Sequence, residues 1–107
     1  MIGIVLPTRG FVYCEVENQI EKYRQDALLK VYRSHDLPIP DAQNYLVEQA
    51  LKDDPEYLFF IEEDVVPPDD ALEKLIEVDS DIACIDYGVN KWSCITKERY
   101  SKKILWC

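Results

Sequence analysis

An α/β domain built on a mostly parallel, Rossmann-like sheet with flanking helices is predicted by three features of the chain. Two apolar runs are too uniform for half-exposed strands, amphipathic segments separate such runs, and turn residues close each run. Residues 2–6 are apolar and rich in β-branched side chains, and Pro7-Thr8-Arg9-Gly10 stops them. A strand of that kind is covered on both faces. In residues 15–25, Val16, Ile20 and Tyr23 recur at spacings of four and three among charged neighbours, which predicts an amphipathic helix packed on the sheet. Residues 28–32 read as a second, more peripheral strand.

Two prolines, Pro38 and Pro40, make residues 34–40 a loop. Pro40 or Asp41 then opens a helix that runs to about Lys52, with Ala42, Tyr45, Leu46, Gln49 and Ala50 in one register. Asp53-Asp54-Pro55 ends it. Residues 57–61 form the most hydrophobic window of the chain and predict the central strand, which runs straight into Glu62-Glu63-Asp64 and Val65-Val66-Pro67-Pro68. Asp69 or Asp70 is expected to cap a helix reaching about Val78, with Leu72, Leu75, Ile76 and Val78 turned inward. Residues 81–85 follow as a fourth strand, with Cys84 in the core. After Tyr87-Gly88 the pattern loosens, and residues 93–96 and 104–106 read as short edge strands. The expectation is a single domain over residues 1–107, with a core at 1–88 and a short irregular or β segment at 89–107.

With 48% hydrophobic residues in 107, the chain has ample core material, so intrinsic disorder is excluded. Twenty-one acidic against 12 basic residues give a net charge of −9, and such a surface repels phosphate backbones. Nucleic acid is therefore not expected as a partner. No apolar run approaches the ~20 residues of a membrane span, and no basic leader precedes the first strand, which predicts a cytoplasmic protein without a membrane span. The four cysteines show no CxxC spacing and the chain has one histidine, so they read as reduced thiols rather than a zinc set. His35 reads as a surface residue, and Trp92 and Trp106 as packing for the C-terminal segment.

The chemistry concentrates where the central strand ends. Ligands of open α/β sheets bind outside the carboxyl ends of the strands. Glu62 and Asp64 stand at that end, and neighbouring carboxylates repel unless a cation joins them, which points to a hard divalent ion such as Mg²⁺ or Mn²⁺. In an extended chain these two would share one side, with Glu63 turned away. The alternative is a solvated acidic loop. Asp69-Asp70 reads as helix capping, and Asp79 and Asp81 precede their strand at the opposite end of the sheet, as surface acids.

Pro7-Thr8-Arg9, the helix opening Pro40-Asp41-Ala42-Gln43-Asn44-Tyr45-Leu46-Val47 and the segment Phe59-Phe60-Ile61-Glu62-Glu63-Asp64-Val65-Val66-Pro67-Pro68 together resemble the nucleotide-sugar-binding half of GT-A-fold glycosyltransferases of the family 2 type. The resemblance covers residues 1–88 in order and spacing. It implies a GT-A-like sheet and a D-x-D-type metal site binding the diphosphate of a UDP- or GDP-sugar through Mn²⁺ or Mg²⁺. It further implies that Pro7, Thr8 and Arg9 line the nucleoside pocket and that Asp36 contacts base or ribose. Asn44 and Glu63 would belong to the nucleotide-sugar site, with Asp64 and Glu62 as metal ligands. Glu62 replaces the first Asp of the motif, and Gln43 stands where the family commonly has Arg.

Enzymes of this kind carry an acceptor half after the nucleotide half, and Asp86, after the fourth strand, is the candidate catalytic base. Two functions stay open: a minimal glycosyltransferase, and a non-catalytic binding or assembly module that lacks the acceptor half. An unrelated nucleotide-binding regulator is a weaker third, because the chain has three glycines and no phosphate-binding glycine loop. A sheet edge without its covering half predicts a homo-oligomer.

Overall fold

The computed structural model describes residues 1–85 and the backbone of residues 103–106. The chain runs β1 (Ile2–Pro7), α1 (Cys14–Asp26), β2 (Leu29–Ser34), α2 (Ile39–Lys52), β3 (Tyr57–Phe60), α3 (Ala71–Glu77), β4 (Ile82–Cys84) and β5 (Lys103–Trp106). The strands form one sheet in the order β2-β1-β3-β5-β4, and every pairing is parallel. This is the α/β architecture that the sequence predicts. β3 sits at the centre with β1 beside it, and β2 is an edge.

One strand is placed differently from the expectation. The segment 104–106, read as an edge strand, belongs to β5, which inserts between β3 and β4 and pairs with both. Its run Ile104-Leu105-Trp106 suits an interior parallel strand, and order along a sheet cannot be read from a local apolar run. Residues 93–96 and Trp92 lie outside the described residues.

The apolar runs are explained by burial on two sides. Ile2, Ile4, Leu6, Phe59 and Ile61 join Val16, Ile20 and Tyr23 of α1 and Leu72 and Leu75 of α3 in one core. Val5, Leu58 and Phe60 alternate to the other face, against Leu46 and Ala50 of α2. Each strand thus feeds both cores, and an alternating polar pattern would have buried polar groups. Gly3 admits the close approach of Tyr32 and Leu58, whose atoms lie 3.2 and 3.3 Å from where its Cβ would stand.

The helical faces are narrower than their periodicity suggests. Tyr45 and Val78, both placed inward by pattern, are 48% and 61% exposed. A short helix resting on a sheet buries one stripe, and Val78 lies beyond the end of α3. Asp70 occupies the N-cap position of α3, but its side chain makes no capping hydrogen bond and pairs instead with Lys74 at 3.0 Å. Cys84, expected in the core, is half-buried near the outer edge of the sheet. No helix among the described residues is long and apolar enough to cross a membrane.

Phe59 of β3 is fully buried in the core beneath the α1–α3 layer. Phe59→Ala is expected to cost about 3–5 kcal/mol in urea unfolding. Leu28→Ala, at a side chain 74% exposed, should stay within about 0.5 kcal/mol of the parent. Equal effects of the two substitutions would contradict this packing.

Candidate functional site

The path of the chain creates one crevice. From β1 it passes through α1 to β2 on one side, then through α2 to β3 on the other side of β1. Strand order therefore reverses between β1 and β3, and the loops leaving their carboxyl ends lead to α1 and α3, which share one layer. Open sheets of this kind bind ligands at such a switch point. The loop after β1 starts Thr8-Arg9-Gly10, and the loop after β3 holds Glu62-Glu63-Asp64.

A compact set of hydrogen bonds ties these two loops together. The Thr8 hydroxyl, on a residue only 2% exposed, donates to Glu63 Oε2 at 2.7 Å. The Arg9 backbone N–H donates to the same oxygen at 3.0 Å, and the Gly10 N–H donates to Thr8 Oγ1 at 3.0 Å. One further bond runs from the Tyr13 N–H to the Glu63 carbonyl at 2.9 Å. Gly10 turns at φ +118°, a conformation that a side chain would strain, and His35 Nδ1 lies 3.9 Å from where its Cβ would stand. Donation from the Thr8 hydroxyl first, and from the Arg9 N–H second, holds the Glu63 carboxyl below the usual glutamate range.

Beside this staple lies a cavity of about 200 Å³, lined by Pro7, Ile39, Gln43, Glu62, Glu63 and Asp64. That is less than the roughly 300 Å³ at which pockets for whole small molecules begin, so a ligand of that size would not fit inside it entirely. The three acids do not alternate as an extended strand would place them. β3 ends at Phe60, residues 63 and 64 form a turn, and all three line the same cavity. Their roles divide by partner: Glu63 is engaged with Thr8 and Arg9, while Glu62 and Asp64 are exposed carboxylates without an ion pair among the described residues.

The other residues singled out in the sequence are spread around this crevice. Pro7 lines it, whereas Thr8, buried, and Arg9, exposed, are not among its lining residues and join it only through their bonds to Glu63. Asp36 is exposed on the loop after β2 with φ +60°, a left-handed geometry that aspartate tolerates better than most residues. Asn44 is exposed, whereas its neighbour Gln43 is half-buried and lines the cavity. Asp86 lies outside the described residues. Sequence reading missed Ile39 as a wall, although it stands four residues before Gln43, one helical turn away on the same side. It also missed Ser34, whose buried Oγ at the carboxyl end of β2 has no hydrogen-bond partner.

No group of three acidic, histidine or cysteine side chains among the described residues is arranged to hold a metal ion. Glu62 and Asp64 supply two carboxylates to one cavity, and hard cations of the Mg²⁺ type are held by one or two carboxylates when phosphate oxygens and water complete the shell. Compared with family models, curated proteins and solved structures, the chain matches none.

The staple generates a pH-dependent expectation. Because Glu63 titrates lower in the folded than in the unfolded chain, its contribution is complete above the ordinary glutamate pKa of about 4.3 and is lost as pH falls below it. Glu63→Gln should lower stability at neutral pH by about 1–2 kcal/mol in urea unfolding. The gap to the parent should shrink below about pH 4. A gap that stays constant with pH would show that the carboxylate charge has no part in joining the loops.

Proposed function

We propose that this chain is a minimal GT-A-like glycosyltransferase domain that binds a UDP- or GDP-sugar with Mn²⁺ or Mg²⁺ and transfers the sugar to an acceptor hydroxyl. The observation that supports it most is the sharing of one cavity by Pro7, Glu62 and Asp64 at the switch point of a parallel sheet. A diphosphate brings about two negative charges toward these acids, so contact is favourable only with a bridging cation. Gln43 is neutral, so no basic side chain in the cavity lining assists in that compensation. Asp64 is the principal ligand in this reading and Glu62 the second.

When bound, the cation supplies charge stabilisation at the diphosphate leaving group. The chain's own groups do the rest. In this reading the stapled Thr8-Arg9-Gly10 turn borders the nucleoside, Asp36 and Asn44 are assigned contacts to the nucleotide sugar, and Asp86 is assigned the removal of the acceptor proton. A non-catalytic binding module would use the same carboxylates but have no use for the base.

Calorimetry with UDP- and GDP-sugars should show binding in the presence of Mn²⁺ and none with a chelator. Asp64→Asn should raise Kd by at least about tenfold, equivalent to ~1.4 kcal/mol. Glu56→Ala, at the amino end of β3, should leave Kd unchanged. Absence of binding with any divalent cation, or an unaltered Kd for Asp64→Asn, would defeat the reading. Asp86→Asn should keep binding and lose transfer; a wild type that binds without transferring sugar to any acceptor would identify the binding module instead.

A further inference from the structure

A second groove lies between β2 and α2 at the open edge of the sheet. It has a volume of about 410 Å³ and is walled by Lys30, Val31, Tyr32 and Arg33 of β2 and by Tyr45 and Lys52 of α2, among others. Lys30 and Tyr32 belong to the α2 side of the strand, where Tyr32 packs with Leu46 and Ala50. Val31 packs against the opposite core, and Arg33 pairs there with Glu17 of α1. The remaining lining is all from α2 and Asp53, so the cavity lies on the α2 side of β2 and meets the strand along residues 30–33.

The backbone at that edge is ready to pair. The Ile2 N–H bonds to the Leu28 carbonyl, so in a parallel ladder Lys30, Tyr32 and Ser34 also turn their backbone groups toward β1. Leu29, Val31 and Arg33 then present N–H and C=O outward, where β2 has no neighbour among the described strands. The charge of the groove opposes that of the molecule. Residues 1–85 contain seven lysines and arginines, and three of them, Lys30, Arg33 and Lys52, line this one groove beside a single acid, Asp53, on a chain of net charge −9. Lys30 pairs with Asp53 at 2.7 Å on the surface, while Lys52 has no ion-pair partner among the described residues.

We propose that this groove receives an extended, acidic peptide segment of a partner protein, added as a further strand on β2. Main-chain bonds to Val31 and Arg33 supply the pairing, and Lys52, joined by Lys30 when it exchanges its partner, selects acidic side chains. A second copy of this chain is a poorer occupant. β2 reads Leu-Lys-Val-Tyr-Arg-Ser, with two cations and no acid, so self-pairing would gather four positive charges on one ribbon. The surface pair of Lys30 with Asp53 is weak enough to exchange for a peptide carboxylate.

The test uses a fluorescein-labelled ten-residue peptide alternating Glu with Val and Thr, and its counterpart with Lys in place of Glu. The acidic peptide should raise fluorescence anisotropy in a salt-sensitive manner, slow hydrogen exchange at the Val31 and Arg33 amides, and bind about fivefold more weakly to Lys52→Glu. N-methylation of alternate peptide residues should abolish binding without touching the protein. The proposal is overturned by no binding, by equal binding of the lysine peptide or the N-methylated peptide, by unchanged exchange at those two amides, or by displacement with millimolar inorganic phosphate.

Discussion

Parallel pairing of β1 with β3 under cover on both faces is the constraint on which the rest of this structure depends. Parallel strands require crossovers, and crossovers place helices on the faces, so both strands must be apolar throughout. Ile4, Val5, Phe59 and Ile61 meet that demand with essentially no exposed surface. The same pairing aligns the carboxyl ends of the two strands, from which Thr8-Arg9-Gly10 and Glu62-Glu63-Asp64 emerge side by side. The core therefore sets the geometry of the crevice.

Within that crevice one carboxylate acts on the protein and two face outward. Glu63 accepts from Thr8 and Arg9 and fixes the distance between the loops, an ordering that would otherwise fall to the ligand. Glu62 and Asp64 line the same cavity with no ion-pair partner among the described residues. The proposed nucleotide-sugar site draws on that imbalance, since a divalent cation relieves it and in turn attracts a diphosphate.

Charge elsewhere is arranged in the opposite sense. The edge strand β2 carries Lys30 and Arg33, each anchored to an acid on a neighbouring helix or loop, with Tyr32 also donating to Asp53 at 2.6 Å. Burial first, and that bond to Asp53 second, push the Tyr32 hydroxyl up to about 12, so it remains a donor at neutral pH. Cations on an edge discourage association of like strands while leaving the backbone available to a strand of opposite charge. The acidic crevice and the basic edge are thus two surfaces of different chemistry on one small sheet.

By itself the sequence determined the α/β class, the two doubly buried strands, the helices between them and the position of the acidic segment after β3, because each is encoded by local periodicity or by turn residues. The assignment of Glu62 and Asp64 to the carboxyl end of the sheet was legible for the same reason. What only the tertiary structure decided concerns contacts between distant segments. Glu63 bonds across 55 residues to Thr8, Gln43 rather than Asn44 meets the acids, Tyr45 and Val78 remain exposed, and β5 enters the sheet beside β3. No local pattern specifies these, since they depend on where crossovers place each strand and on which way a turn carries a side chain once hydrogen bonding closes it.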